Sequence, residues 1–265
     1  MKDKVVVITG GSDGIGKALV LLCLQKGAYV STCGRNYTKL LKAFDHLLSE
    51  KLLCTEADVS KEDDCKNLIN TTLEKFGQID ILINNAGISM RSLFQDVDLE
   101  TFRQLMNTNF WGAVYCTQFA LHNIIENKGS IVSITSIAGY RGLPGRSGYS
   151  ASKFALNGWM EALRTELLQS DVNVMLVAPG FTASNIRNVA LNEHANPQGE
   201  SPMDESKMMS SQECAEHIVT AIEKRKRSLV LTFTGKQAVF MNKYFPAWSD
   251  KLVYKFFFKN GKLIK

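Results

Sequence analysis

The sequence predicts a doubly wound α/β fold, a parallel sheet flanked by helices in a single domain with a helical C-terminal extension. Three observations lead there. Short apolar runs rich in β-branched residues alternate with longer stretches of three- and four-residue periodicity, the pattern of βαβ units. The first run, Lys4–Thr9, passes directly into Thr9-Gly10-Gly11-Ser12-Asp13-Gly14-Ile15-Gly16 and then into helical periodicity. Glycines in that context let backbone approach a pyrophosphate, and the helix N-terminus supplies amide donors and a favourable dipole. Further on, Tyr149-Ser150-Ala151-Ser152-Lys153 opens an amphipathic helix carried by Phe154, Leu156, Trp159, Met160 and Leu163, with Ser136 thirteen residues before the tyrosine.

The elements follow in order. The second strand, Ala28–Cys33, ends in Gly34-Arg35-Asn36. An acid at this strand end suits ribose hydroxyls, whereas an arginine suits a 2′-phosphate. Arg35 therefore favours NADP(H) over NAD(H), with Ser12 and Asn36 as helpers. A helix over about 37–49 and a strand over 52–57 lead to Asp58-Val59, and a helix over about 61–76 leads to a buried strand ending in Asn84-Asn85-Ala86-Gly87. Two helical stretches flank Asn107–Gly112. Ser130–Thr135 is the strand that delivers Ser136 at its C-terminal end, where ligands of open parallel sheets sit. The Tyr149 helix, about 149–169, precedes the strand Asn173–Ala178 and Pro179-Gly180. Residues 182–209 turn Asn-rich and irregular, with Pro197, Gly199, Pro202 and Met203, Met208 and Met209, as in a lid or binding loop. Ser210-x-x-Glu213 is a capping box that restarts helix to about Glu223, and Ser228–Thr232 is the last strand.

Composition narrows the function classes. With 45% hydrophobic residues the chain can bury one sizeable core. The N-terminus has no leader pattern, no run is long enough to cross a bilayer, and the six cysteines form no CxxC pair. A reduced, cytoplasmic, metal-free protein with no nucleic-acid partner is expected, its four histidines structural. From Lys224 to Lys265 eleven Lys or Arg face the single acid Asp250, so that segment carries +10 and residues 1–223 carry −5 of the net +5.

The tyrosine and lysine have a chemical reason to be paired. Residues four apart share a helix face, which sets Lys153 beside Tyr149. A free phenol titrates near pH 10, and a neighbouring ammonium lowers that toward a useful range for a general acid or base. Ser136 then holds a substrate oxygen. Such pairs also occur on helices for no chemical reason, and the motifs in the rest of the chain decide between the two.

Together these residues resemble the short-chain dehydrogenase/reductase family over about residues 4–232. The motifs are Thr9-Gly10-x3-Gly14-x-Gly16, Asn84-Asn85-Ala86-Gly87, Asn109-x2-Gly112, Ser136-x2-Gly139, Tyr149-x3-Lys153 and Pro179-Gly180. The resemblance implies a domain at 1–232, with 182–209 as substrate loop, and an extension at 233–265. It implies catalysis by Asn109, Ser136, Tyr149 and Lys153. Tyr149 is then the acid/base, Ser136 polarises the reacting oxygen, Lys153 meets the nicotinamide ribose and lowers the tyrosine pKa, and Asn109 holds a water in a relay. Gly10, Ser12, Asp13, Gly14, Ile15 and Gly16 would form the pyrophosphate turn, Asp58 and Val59 would lie near adenine, and Asn85, Ala86 and Gly87 would line the nucleotide. Pro179, Gly180 and Thr182 would meet the carboxamide and pyrophosphate. A homo-dimer or homo-tetramer through helices 108–127 and 149–169 is implied as well.

Residues 233–258 carry nine of the chain's 24 aromatic residues, interleaved with Lys251, Lys255 and Lys259. Two short amphipathic helices with a basic face either meet a membrane surface, cover an apolar pocket, or pack on their own domain or a second subunit. The expected function is an NADP(H)-dependent carbonyl reductase of an apolar, lipid-like small molecule. A 3-ketoacyl reductase of fatty-acid synthesis and a non-catalytic NADP(H)-binding regulatory protein are the alternatives.

Overall fold

The computed structural model describes residues 1–47, 49–201 and 203–264. Leu48 of the expected second helix, Pro202 of the expected loop and Lys265 of the basic tail lie outside the described residues.

Seven strands form one parallel sheet: β1 (Val5–Thr9), β2 (Tyr29–Gly34), β3 (Leu52–Glu56), β4 (Ile81–Asn84), β5 (Ser130–Ile134), β6 (Asn173–Ala178) and β7 (Ser228–Val230). Their spatial order is β3-β2-β1-β4-β5-β6-β7. The chain winds one way from β1 to β3 and the other way from β4, so the switch point lies between β1 and β4, where open α/β sheets bind ligands. Helices α1 (Gly14–Gln25), α2 (Tyr37–Lys42), α3 (Glu62–Phe76), α4 (Leu99–Met106), α5 (Gly112–Glu126), α6 (Ser147–Glu166) and α7 (Ser211–Glu223) connect them.

Every position of β1 is buried, because both faces of a central parallel strand meet helices. The two-residue alternation splits it between two cores. Val6 and Ile8 join Leu19, Cys23, Cys214 and Ile218 under α1 and α7. Val7 faces the other way, toward Leu68, Cys116, Leu156 and Met160 of α3, α5 and α6. Each such side chain contributes about 1.5–3 kcal/mol on leaving water.

The last strand ends at Val230 rather than Thr232, the Tyr149 helix ends at Glu166 rather than near 169, and three further elements differ from expectation. The helix expected to run to residue 49 ends at Lys42 and is followed by a 3₁₀ turn, Asp45–Leu47. Phe44 turns inward there, 1% exposed, and the bonds Phe44 N–H to Leu41 O (2.9 Å) and Leu47 N–H to Phe44 O (2.8 Å) tighten the chain around it. Helix α6 begins at Ser147, two residues early, so Tyr149 lies inside its first turn. Between α4 and α5, Asn107–Trp111 forms a π-helical turn with Asn109 buried, a distortion that often marks functional positions.

Beyond β7 the chain forms α8 (Phe233–Tyr244), α9 (Pro246–Phe257) and a small hairpin of β8 (Phe258–Lys259) and β9 (Lys262–Leu263). Thr232 starts the extension at φ +63°, its hydroxyl accepting from Gly235 N–H at 3.0 Å. The extension packs on its own domain. Asn242 donates to Tyr140 O at 2.8 Å, Arg141 reaches Asn242 at 3.0 Å and Asp250 at 2.7 Å, and Phe257 is buried. The opposite side leaves Phe240, Tyr244, Trp248 and Leu252 exposed. Among the described residues no helix is long and apolar enough to cross a membrane.

Candidate active site

The glycine-rich turn is built by backbone contact. Asp13 caps α1, accepting from Gly14 N–H at 2.8 Å, and its carboxylate also meets Lys39 Nζ at 2.7 Å. Thr9 Oγ1 accepts from Asn85 N–H and Ala86 N–H, both at 3.0 Å. Asn85 Nδ2 donates back to Thr9 O at 2.9 Å and Gly10 O at 3.2 Å. The end of β4 is thereby stitched to the end of β1. A Cβ on Gly16 would stand 2.1 Å from Gly10 O, and Gly10 itself lies at φ +71° with Ala86 Cα 2.9 Å from where its Cβ would be. Glycine at both is a steric requirement.

All the residues that the sequence assigned to cofactor or catalysis line one cleft, Asn109 excepted. At one end lie Ser12, the exposed Arg35, and Asn36, whose Oδ1 accepts from Lys39 N–H at 2.8 Å. Asp58 Oδ1 accepts from Ser60 N–H at 3.0 Å and Ser60 Oγ at 2.8 Å, which holds the Asp58-Val59 corner. Toward the other end come Gly87, then Ser136, Tyr149 and Lys153, with Pro179-Gly180 and Thr182 forming the floor. Gly180 is pressed against the tail's first residue, since a Cβ there would meet Thr232 Oγ1 at 2.2 Å.

Asn109 stands behind this surface. Its Nδ2 donates to Ile88 O and Ser152 Oγ, both at 2.9 Å, and its Oδ1 accepts from Ile88 N–H at 2.8 Å. The side chain thus fixes the backbone next to Gly87, whose α-carbon faces both Asn109 Oδ1 and Lys153 Nζ.

The Ser136 hydroxyl acts on the Tyr149 phenol, holding its pKa lower than burial alone would. Lys153 Nζ lies 5.7 Å from the Tyr149 ring centre and donates to Ile134 O at 2.9 Å. Burial dominates both groups. It pushes the Tyr149 phenol up, and it pushes Lys153, 4% exposed, down to about 8. The influences that oppose burial at Tyr149 are, in order, the Ser136 hydroxyl and the positive charges of Arg146 and Arg187. The sequence reading gave that task to Lys153 and assigned neither arginine a role. Burial also pushes Arg146 down to about 10.

Other lining residues escaped the sequence reading. Lys39 adds a second cation beside Arg35. Arg187 is ion-paired with Glu205, donates to Thr182 O at 2.7 Å and reaches the cleft with Ile186 and Val189. The segment after β6 is also bridged from Leu191 to Met90 and from Thr182 to Met209. Arg146 carried one legible signal: a cation at a helix N-terminus opposes the dipole and calls for a reason. Among the described residues no group of three His, Cys, Asp or Glu is placed to hold a metal ion.

Comparison with known proteins agrees with this architecture. Residues 4–195 match the family described as short chain dehydrogenase. The chain is 34% identical over 267 residues to 11-beta-hydroxysteroid dehydrogenase A of Arachis hypogaea, spanning 95% of this chain and 75% of that protein. It is 38% identical over 194 residues to 3-ketodihydrosphingosine reductase of Bos taurus, spanning 68% of this chain and 58% of that one. A short chain dehydrogenase/reductase from Burkholderia phymatum, solved in complex with NAD, has the same fold at TM-score 0.82 and 21% identity, with 95% of each chain covered. The chain belongs to the short chain dehydrogenase family of oxidoreductases.

Proposed function

We propose that the protein is an NADP(H)-dependent oxidoreductase that interconverts a carbonyl and a secondary alcohol on an apolar small molecule. The observation that carries this reading is a single cleft running from the glycine-rich turn at the N-terminus of α1 to Ser136, Tyr149 and Lys153. The turn presents backbone amides and a helix dipole suited to a pyrophosphate. Arg35 at the end of β2, with Lys39 and Ser12 beside it and no acid on that strand end, favours a 2′-phosphate. When bound, the nicotinamide supplies or accepts the hydride.

The protein's own groups handle the proton. With its pKa raised, Tyr149 is protonated at neutral pH and can donate to a carbonyl oxygen that Ser136 also holds. Lys153, anchored on Ile134 O, presents a cation to the same region. Asn109 is a positioning residue that fixes the Gly87-Ile88 backbone. Two relatives are named for a hydroxysteroid and for 3-ketodihydrosphingosine, both largely apolar, which fits a cleft end lined by Leu143, Ile186 and Val189.

The test is NADPH oxidation against ketones of rising chain length, with NADPH and NADH titrated by tryptophan fluorescence. Tighter NADPH binding and turnover that improves with chain length are expected. Failure to bind either nucleotide would overturn the reading.

Two surfaces extend it. Phe110, Trp111, Tyr115 and Trp159 form a partly exposed aromatic cluster on α5, α6 and the π turn, which supports pairing with a second copy. On α8 and α9, exposed aromatics stand among exposed Lys251, Lys255 and Lys259, which supports peripheral contact with anionic lipid. Gel filtration without lipid and co-sedimentation with anionic vesicles read the two separately. A monomer would refute the first, and vesicle binding unaffected by Trp248→Ser with Leu252→Ser would refute the second.

A further inference from the structure

Beyond its charge on the Tyr149 phenol Arg146 has no task in the roles above, and its surroundings are costly. It is 7% exposed, directly precedes α6 and lines the cleft with Tyr149, three residues on in the chain. Its Nη1 is buried and has no hydrogen-bond partner among the described residues. A buried cation without a partner is destabilising, and its place at the N-terminus of a 20-residue helix adds an unfavourable dipole.

Its neighbours sharpen the contrast. Arg91 and Arg187 are the cations whose charges bear on it. Arg91 has Glu200 at 3.6 Å, and Arg187 is ion-paired with Glu205. Among the described residues Arg146 is the member of this trio with no acid in reach. Its other support is an aromatic face, the Phe257 ring centre lying 5.5 Å from its guanidinium carbon. Phe257, 3% exposed, arrives from α9. Such a ring steadies a guanidinium from one side without using its donors.

We propose that Arg146, backed by Phe257 of the C-terminal extension, is a specificity residue that binds a carboxylate carried by the substrate. The preferred substrates would then be oxo-acids and the corresponding hydroxy acids. The guanidinium fork matches a carboxylate in two parallel hydrogen bonds. One unpaired cation balances one negative charge, which favours a carboxylate over a dianionic phosphate. An apolar stem between carbonyl and carboxylate would lie along Leu143, Ile186 and Val189. This deepens the oxidoreductase reading and rests on it for the carbonyl, though not for the carboxylate.

The test compares oxoalkanoates of increasing spacer length with their methyl esters, using NADPH as reductant. At the best spacer the acid should exceed its ester in kcat/KM by at least about tenfold, mainly through KM, the scale of one charge-assisted hydrogen bond. The acid-to-ester ratio, read within each variant, should fall close to one in Arg146→Gln and be partly restored in Arg146→Lys. Binding of a saturated alkanoate, which cannot be reduced, is followed separately by calorimetry and should weaken at least about tenfold in Arg146→Gln. If neither acid nor ester is reduced but alkanoate binding depends on Arg146, the oxidoreductase reading fails while the carboxylate site stands. A wild-type ratio near one at every spacer length, a ratio that survives Arg146→Gln, or no alkanoate binding would overturn the proposal.

Discussion

The two ends of the cleft are built in opposite ways. The end at the glycine-rich turn comes from the first half of the sheet, and its shape is set by main chain. Gly10 and Gly16 pack against neighbouring backbone, and Thr9 and Asn85 tie β1 to β4 through backbone N–H and C=O groups. The end beyond Tyr149 is assembled from side chains remote in sequence. Arg146 comes from the residue just before α6, Arg187 from the segment after β6, and Phe257 from the extension. A backbone-built site recurs as a spacing of small residues, while a side-chain-built site can change its ligand without disturbing the sheet. The first end should be intolerant and general, the second tolerant and selective.

That contrast can be broken most severely at Gly16. Gly16→Ala places a methyl 2.1 Å from Gly10 O, which is main chain and cannot swing away, and 2.5 Å from Asn85 Nδ2. Loss of measurable nucleotide binding and a stability loss of about 1–3 kcal/mol are expected, read by fluorescence titration and denaturant unfolding. Near-normal binding would show that the turn is not shaped by this contact.

Arg35→Asp asks less of the scaffold, because Arg35 is exposed. Losing a charge-assisted contact and adding an acid should weaken NADPH by about 10–100-fold and improve NADH. Unchanged NADPH affinity in the same titration would remove Arg35 as the selector and leave Lys39 as the candidate.

The smallest effect is graded with pH. Tyr149 has its pKa raised, so its donor form predominates at neutral pH, and ketone reduction should be nearly flat between about pH 6 and 8. Alcohol oxidation needs the phenolate, whose share grows about tenfold per pH unit below the pKa, so its kcat/KM should climb with pH. Parallel profiles in the two directions would contradict this.

Legibility in the sequence followed the same division. The strands, their order along the chain and the turn could be read because parallel strands are apolar on both faces and the turn demands glycine at fixed spacing. Tyr149 and Lys153 could be read because four residues make one helical turn. The end of α2 could not, since it depends on Phe44 finding a place in the core. The electrostatics around Tyr149 could not either. The sequence sets Lys153 beside it, but burial and the distant Arg187 act on the phenol as well. The extension was legible as amphipathic, yet only packing shows that Phe257 faces Arg146 while Trp248 faces solvent.

The most direct test of hydride transfer with Tyr149 as proton donor uses NADPH deuterated at the nicotinamide C4, in wild type and Tyr149→Phe. The deuterium should appear on the carbinol carbon of the product by mass spectrometry in wild type. In Tyr149→Phe, turnover should fall by about 10²–10⁴-fold while NADPH affinity stays within a few-fold. Product without label, or a Tyr149→Phe variant within tenfold of wild-type turnover, would contradict the account.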